Sequence, residues 1–397
     1  MDDFESLLET LNQHLLDAGH QNWLLGAGIS YDAKIPLMYP LTDRVCQIID
    51  AEAEENPKEI LNDLKQDLED DSHVEHYLSH LGDLIAIAER SRAKTAFINN
   101  NGYSFKQLFE AYIGIITAIG NTVRYGYKPK NPNNEDPEEV GTAELPIVEI
   151  DYHNNFVEAL FSNRANLERR SKINFFTTNY DTLLEDALAL RKKIIIDGFS
   201  GGAVGFWNPD QEFTRAVNDS NTCLLYKLHG SIDWHRDKDK GLVRARYGTK
   251  YLSDPANIMI YPQATKYVET QKDPFAFLFI GLRQALMSQS QNVLVTCGYS
   301  FGDEHINTEI ETALTSDGSK TTVIAFMSER PEEGVVINST LDRWLNHSKF
   351  GERIFVAGKF GLYNNSISPV LPDGVEALNW SRFAGLTQFL KTGEFYD

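Results

Sequence analysis

The chain has 397 residues, of which 42% are hydrophobic, 11% aromatic and 24% charged, and its formal net charge is -20. This composition excludes a largely disordered chain, and the length suffices for one large α/β domain with an insertion or a second small domain. The acidic charge disfavours direct nucleic-acid binding, because phosphate groups are repelled. Three separated cysteines, Cys46, Cys223 and Cys297, supply neither a disulfide framework nor a four-cysteine zinc site.

The first residues, Met1 to Phe4, lack the basic and apolar regions of a secretory signal. The chain also lacks an apolar stretch of the ~18 residues that a membrane-spanning helix needs. We therefore expect a cytoplasmic protein without membrane contact.

In chain order, leucines at helical spacing predict a first helix over residues 7–15, and the apolar run Trp23 to Leu25 predicts a short buried strand ending at Gly26. Helical spacing then dominates residues 50–125. It ends in a proline-rich polar loop over residues 128–137. We interpret residues 51–145 as a helical insertion that ends in this Pro-rich acidic loop.

The second half alternates helical with β-type patterns, beginning with a helix over residues 156–170. Apolar strand-like runs follow at residues 173–177, 192–196, 223–228, 292–297 and 321–327. Strands that alternate with helices predict a Rossmann-like, mostly parallel sheet covered by helices on both faces. Residues 1–50 and 146–330 would form this domain. Residues 331–397 would form a small C-terminal extension, with a hairpin near 354–363 and a helix near 380–390.

Four motifs stand where predicted strands end. The first, Gly26-Ala27-Gly28-Ile29-Ser30, has glycines that would let backbone N–H groups approach a pyrophosphate at a helix start. The third glycine of the usual dinucleotide fingerprint is missing, and a tight turn without a ligand has the same pattern. This motif therefore needs support from the others.

The second motif, Thr177-Thr178-Asn179-Tyr180-Asp181, opens a predicted helix at a strand's carboxyl end, where open α/β sheets bind ligands. Asn179 as a turn residue and Asp181 as a helix N-cap would explain the same residues without a ligand. The third motif places His229 and Gly230 after another apolar run, which would bring a proton acceptor to the same sheet edge.

The fourth motif, Gly298-Tyr299-Ser300-Phe301-Gly302-Asp303, follows the apolar run that ends at Cys297. Asp303 is typical of a helix N-cap. Gly298 and Ser300 are suited to contact a ribose or a phosphate through the backbone and the hydroxyl group.

Together, GAGIS, TTNYD, KLHGSIDW and GYSFGDEHIN resemble the sirtuin-like family, in the branch of bacterial anti-phage effectors that deplete NAD. The resemblance covers residues 20–50 and 170–330. It implies that Asn179 and His229 are the catalytic pair and that Asp181 helps to hold the nicotinamide carboxamide. It further implies that the NAD site is lined by Gly26, Ala27, Gly28, Ser30, Gly298 and Ser300.

Two departures from protein-deacylating sirtuins matter. Pro36 is followed by Leu37-Met38-Tyr39 instead of an aspartate, phenylalanine and arginine, and the zinc-binding cysteine pairs are absent. Deacylation is therefore disfavoured, and no zinc is expected. The resemblance also implies homo-oligomers and, in some members, a partner ATPase of the HerA type.

We expect NAD to be a substrate, cleaved to nicotinamide and ADP-ribose through an oxocarbenium-like transition state. Asn179 would position a water or a ribose hydroxyl, and His229, with a reference pKa of ~6.5 for histidine, would accept the proton. The alternatives are a catalytically silent nucleotide-binding scaffold and, less favoured, an NAD-dependent deacylase.

One further pattern suggests a metal. His76 and His80 have the i, i+4 spacing of a zinc-binding helix, with His73 and Glu75 nearby, but the glutamate of an HExxH motif is missing. We favour a polar helix face and predict no metal site there.

Overall fold

The computed structural model describes residues 3–17, 20–52, 54–130, 137–162, 173–214, 221–246, 255–259, 273–287, 291–329, 337–365 and 369–396. The strands of these segments are β1 (His20–Leu25), β2 (Thr95–Ile98), β3 (Asn101–Ser104), β4 (Tyr127–Lys128), β5 (Glu139–Val140), β6 (Ile173–Thr177), β7 (Ile194–Ile196), β8 (Phe199–Gly201), β9 (Val204–Trp207), β10 (Thr222–Lys227), β11 (Gly230–Asp237), β12 (Gly241–Ala245), β13 (Pro255–Met259), β14 (Asn292–Cys297), β15 (Thr321–Phe326), β16 (Ile354–Gly358) and β17 (Gly361–Asn364).

The helices of the same segments surround these strands. They are α1 (Asp3–Asp17), α2 (Met38–Glu52), α3 (Glu55–Asp67), α4 (Val74–Arg90), α5 (Phe105–Tyr125), α6 (Asp151–Ser162), α7 (Leu183–Leu190), α8 (Pro209–Thr214), α9 (Phe275–Leu286), α10 (Glu304–Thr315), α11 (Ser339–Leu345) and α12 (Phe383–Thr392). In the described segments, no helix is long and apolar enough to cross a membrane.

The central sheet has eight strands in the order β17-β16-β15-β14-β1-β6-β10-β7, and every pairing except β16 with β17 is parallel. Adjacent residues of β1 point to opposite faces, and both faces are covered, since Trp23 and Leu24 are each fully buried in different apolar clusters. This confirms the predicted Rossmann-like α/β class with a mostly parallel, helix-covered sheet.

The expected C-terminal elements are present. The antiparallel pair β16 and β17 forms the predicted hairpin, and α12 is the predicted final helix. Because β16 pairs in parallel with β15, this part of the chain extends the central sheet rather than forming a separate layer. Of the helix expected over residues 156–170, the part after Ser162 lies outside the described residues, as do residues 131–136 of the proline-rich loop.

A second, five-stranded sheet was missed by the sequence analysis. Its order is β13-β11-β12-β9-β8, and the described pairings are antiparallel. Two of its strands, β8 and β9, precede central strand β10, and its strand β11 begins directly after His229. The helical pattern of the predicted insertion corresponds to α3, α4 and α5, and α2 shares their apolar cluster. The hairpin β2–β3 between α4 and α5 was not predicted.

Candidate active site at the carboxyl edge of the sheet

All four predicted motifs meet at one edge of the central sheet. The strands that precede them, β14, β1, β6 and β10, are consecutive neighbours. Leu25 pairs with Cys297 on one side and with Thr177 on the other, and Thr177 pairs with Lys227. Because parallel strands end at the same edge, this register places the motifs side by side.

The glycines of the first and fourth motifs pack directly against each other. The Gly26 N–H donates to the Cys297 carbonyl at 3.0 Å, and the Gly28 N–H donates to the Gly298 carbonyl at 3.0 Å. A Cβ at Gly28 would lie 2.7 Å from the Gly298 Cα, and Gly298 has a φ of +64°. Glycine is therefore needed here for close backbone approach. The two N–H groups bond to the neighbouring loop, which differs from the expectation that they face a pyrophosphate.

A chain of hydrogen bonds joins the first motif to the second. The Asn179 amide donates from Nδ2 to the Ser30 hydroxyl at 3.1 Å, and that hydroxyl donates to Asp181 Oδ2 at 2.9 Å. All three side chains are buried, with Asn179 only 7% exposed. Asn179 Oδ1 is buried and has no hydrogen-bond partner among the described residues. A buried acceptor in this state is suited to receive a hydrogen bond from a ligand or water.

Asp181 is held from several sides. Its Oδ1 accepts from the Leu183 N–H at 3.0 Å, and its carbonyl accepts from the Lys227 ammonium. Thr182 takes the N-cap position of α7, so the alternative in which Asp181 is the N-cap is wrong. His153 of α6 lies nearby, with Nε2 3.5 Å from the Ser30 Oγ. Burial lowers the pKa of His153, while the negative charge of Asp181 opposes that shift. The sequence analysis missed His153 because α6 carries no strand-end motif.

His229 occupies the position on its strand that corresponds to Asn179 on the neighbouring strand. Each lies two residues beyond a member of the register pair Thr177 and Lys227. The Leu228 N–H still donates to the Thr177 carbonyl at 2.8 Å, so the two loops leave the sheet together. His229 is 5% exposed. The two residues predicted as the catalytic pair therefore stand on adjacent, hydrogen-bonded loops.

Two residues of the fourth motif that the sequence analysis did not assign to the site approach His229. Asp303 Oδ1 lies 3.8 Å from His229 Nε2, and the rings of His229 and His305 have centroids 5.7 Å apart. Asp303 takes the N-cap position of α10, as predicted, but its side chain makes no capping hydrogen bond there. The acidic and histidine residues of the segment Asp303-Glu304-His305 were the available signal.

The remaining predicted contacts, Ala27 and Ser300, are exposed at the border of this site. The Ser300 hydroxyl accepts from the Gly302 N–H at 3.3 Å, and the Ser300 carbonyl accepts from the Asn338 amide at 3.1 Å. A residue from beyond position 330 thus supports the loop that follows β14.

Helices α4 and α5 also contact the segments that carry the site. Tyr180, between Asn179 and Asp181, donates its hydroxyl to Glu75 Oε1 of α4 at 2.5 Å, and Glu75 is 5% exposed. Burial, together with the negative charge of Glu75, raises the pKa of Tyr180 well above its usual range. Arg124 of α5 donates to the Ile232 carbonyl at 3.1 Å. No local sequence pattern indicates these contacts, because the partners are 105 and 108 residues apart in the chain.

The histidines of α4 have other local roles. The His73 N–H donates to His76 Nδ1 at 3.3 Å at the start of the helix, and His80 Nε2 lies 3.2 Å from Asp67 Oδ2. Within the described segments, the one cluster of three or more potential metal ligands is His229, Asp303 and His305, whose ligand atoms lie within 4.8 Å of one another.

Residues 173–349 match the SIR2-like domain. That segment contains Asn179, Asp181, His229, Gly298 and Ser300, and the match fits NAD-binding or NAD-cleaving chemistry in general. A structural comparison finds similarity to a mutant Sir2 homologue in complex with ADP ribose, at 12% identity and a TM-score of 0.36, covering 85% of this chain and 89% of that one. No curated protein matches the sequence.

Proposed function

We propose that this protein hydrolyses NAD at the bond between nicotinamide and ribose, releasing nicotinamide and ADP-ribose. The observation that supports this most strongly is the placement of Asn179 and His229 on adjacent loops at the carboxyl edge of the sheet. Both side chains are buried, and both fall inside the segment that matches the SIR2-like domain. A buried amide and an imidazole at this edge provide the two polar groups that the reaction needs.

In the proposed reaction, the bond between the ribose C1′ and the nicotinamide nitrogen breaks, and nicotinamide leaves with the bonding electron pair. Charge builds up on the ribose as in glycoside cleavage. A water oxygen then bonds to C1′ and its proton passes to His229. Asn179 Oδ1, which has no partner among the described residues, would accept a hydrogen bond from that water or from a ribose hydroxyl. Asp303, 3.8 Å from His229 Nε2, would stabilise the imidazolium that forms.

Substrate binding would use the surroundings of this pair. We propose that the Asp181 carboxylate accepts a hydrogen bond from the nicotinamide carboxamide and that Ser30 holds Asp181 and Asn179 in place. The close contact between Gly28 and Gly298 would let the dinucleotide lie directly on the backbone, with exposed Ala27 and Ser300 at its sides.

The test is release of nicotinamide from NAD by the purified protein, compared with Asn179→Ala and His229→Ala. Either substitution should lower kcat at least about 100-fold, because general acid–base and positioning groups contribute on this order. Circular dichroism and thermal unfolding would establish that each variant is folded.

Two matched control substitutions distinguish a loss of catalysis from a loss of folding stability. Asn174 lies at the amino end of β6, the strand that leads to Asn179, and its Nδ2 donates to Asn22 Oδ1 at 2.8 Å. His347 is a histidine of the loop after α11. Asn174→Ala and His347→Ala should retain turnover. Full activity in both Asn179→Ala and His229→Ala would refute the assignment, and no release by the natural chain would favour a silent nucleotide-binding scaffold.

The wider role follows from the resemblance of the motifs to anti-phage effectors. We propose that NAD depletion serves defence against phage in the cytoplasm, in a homo-oligomer and with a HerA-type ATPase as a partner. Nicotinamide release measured with and without such an ATPase would test this part separately. Release from NAD that depends on an acylated peptide would instead indicate deacylation.

A further inference from the structure

The site contains a second arrangement that NAD cleavage does not require. His229 follows β10, whereas Asp303 and His305 stand at the start of α10 after β14. These strands are separated in the sheet by β1 and β6. Their loops nevertheless converge, so that one potential ligand atom from each residue lies within 4.8 Å of the other two.

We propose that His229, Asp303 and His305 bind a divalent transition-metal ion of the zinc class, and that the bound ion withholds His229 from NAD cleavage. The second half of this statement rests on the proposed function; the first does not. The site would be distinct from the sirtuin zinc module, since it contains no cysteine.

The donor set selects the kind of ion. Two imidazoles and one carboxylate suit Zn²⁺, which binds three protein ligands and a water in its open sites, whereas Mg²⁺ and Ca²⁺ prefer oxygen ligands alone. Tetrahedral Zn²⁺ with bonds of about 2.0–2.2 Å needs ligand atoms roughly 3.3 Å apart. His229 Nε2 and Asp303 Oδ1 are already 3.8 Å apart, so small side-chain rotations would close the site.

Burial would favour binding as well. His229 is 5% exposed and the Asp303 side chain 12% exposed, so the ion would be held in a setting where water screens its charge little. The ring of His305 packs against Phe279 at 5.2 Å, which restricts its orientation. A metal bound to the imidazole nitrogen that faces Asp303 occupies the lone pair that would otherwise accept a proton from water.

Metal binding can be measured without any NAD chemistry. The probe is Co²⁺, whose visible absorption reports nitrogen and oxygen ligands, with Zn²⁺ used to displace it. The natural chain should bind one equivalent at this site, and His305→Gln should weaken binding by more than about tenfold, since even the outer partners of metal ligands contribute 10- to 100-fold. His76→Gln is the matched control, because His76 and His73 form a stacked pair elsewhere, with ring centroids 3.9 Å apart.

Equal Co²⁺ binding by His305→Gln and the natural chain, or loss of binding in His76→Gln alone, would overturn the proposed metal site.

The second readout is nicotinamide release at increasing Zn²⁺ concentration, expressed relative to the metal-free rate of each variant. Zn²⁺ should inhibit the natural chain, and chelation should reverse the inhibition, whereas His305→Gln should need at least about ten times more Zn²⁺. Unchanged release at saturating Zn²⁺ would overturn the inhibition. Absence of NAD turnover beside intact Co²⁺ binding would instead count against the proposed function alone.

Discussion

Substitution of Gly298 by alanine tests whether close backbone contact between two strand-end loops holds the site together. The new Cβ would lie 2.5 Å from the Ile29 backbone nitrogen, and the residue has a φ of +64°. The left-handed backbone costs an alanine roughly 1–2 kcal/mol, and overpacking of a rigid backbone contact adds about 1–3 kcal/mol. We therefore expect the free energy of unfolding to fall by about 2–5 kcal/mol.

Gly318 provides the matched control. It also has a positive φ, +76°, but a Cβ there would meet nothing within 4 Å. Gly318→Ala should therefore show only the backbone cost of about 1–2 kcal/mol. Urea unfolding of both variants gives the difference between them, which isolates the loop contact. If Gly298→Ala is no more destabilising than Gly318→Ala, the two loops are not in the close contact described, and the role assigned to Gly298 fails. Nicotinamide release by folded Gly298→Ala should also require a higher NAD concentration.

Two further predictions concern buried ionisable groups beside the site. Lys227→Met should lower the free energy of unfolding by about 3–5 kcal/mol, because the buried Glu185 carboxylate, 2.8 Å from the Lys227 ammonium, loses its partner. Adding Glu185→Leu should recover part of this loss in urea unfolding. If nothing is recovered, the ion pair is not the cause. His153 should make the free energy of unfolding depend on pH. Burial lowers the pKa of His153 in the folded protein below its usual value of 6.5, so the unfolded chain binds the proton more tightly. The free energy of unfolding should therefore fall as the pH drops below about 6.5. The natural chain should lose unfolding free energy more steeply between about pH 7.5 and 5.5 than His153→Phe, and equal slopes would contradict the shift.

The central sheet could be predicted because its strands are buried on both faces. Runs such as Trp23 to Leu25 are continuously apolar, and each ends at glycine or polar residues that mark the sheet edge. The placement of the motifs at one edge of the sheet followed from the rule that parallel strands end together, whereas the order of the strands did not. The antiparallel sheet β13-β11-β12-β9-β8 could not be predicted in this way. Its shorter strands include glycines and place apolar residues at exposed positions, as Val204 and Phe206 do in β9.

Only those residues of the site that follow a local sequence pattern could be predicted. Asn179 and His229 each follow an apolar run, so a local pattern indicated them. Asp303 lay in a recognised motif, but its local position before a helix suggested capping, and only the convergence of two non-adjacent loops brings its carboxylate to His229. His153 carried no local signal, since its meaning depends on a hydroxyl 123 residues away in the chain.

The hydrogen bond between Tyr180 and Glu75 connects helix α4 to the site. Tyr180 is flanked by Asn179 and Asp181, so its backbone determines where both side chains point. The phenol donates to a buried carboxylate of α4, and the Tyr180 carbonyl accepts from the Ile232 N–H of β11, the strand after His229, at 3.0 Å. A displacement of α4 relative to the sheet would break a buried, charge-assisted hydrogen bond and shift the loop that carries Asn179. Helix α4 is thus mechanically joined to the site, and a displacement of α4 would act on Asn179 through this contact.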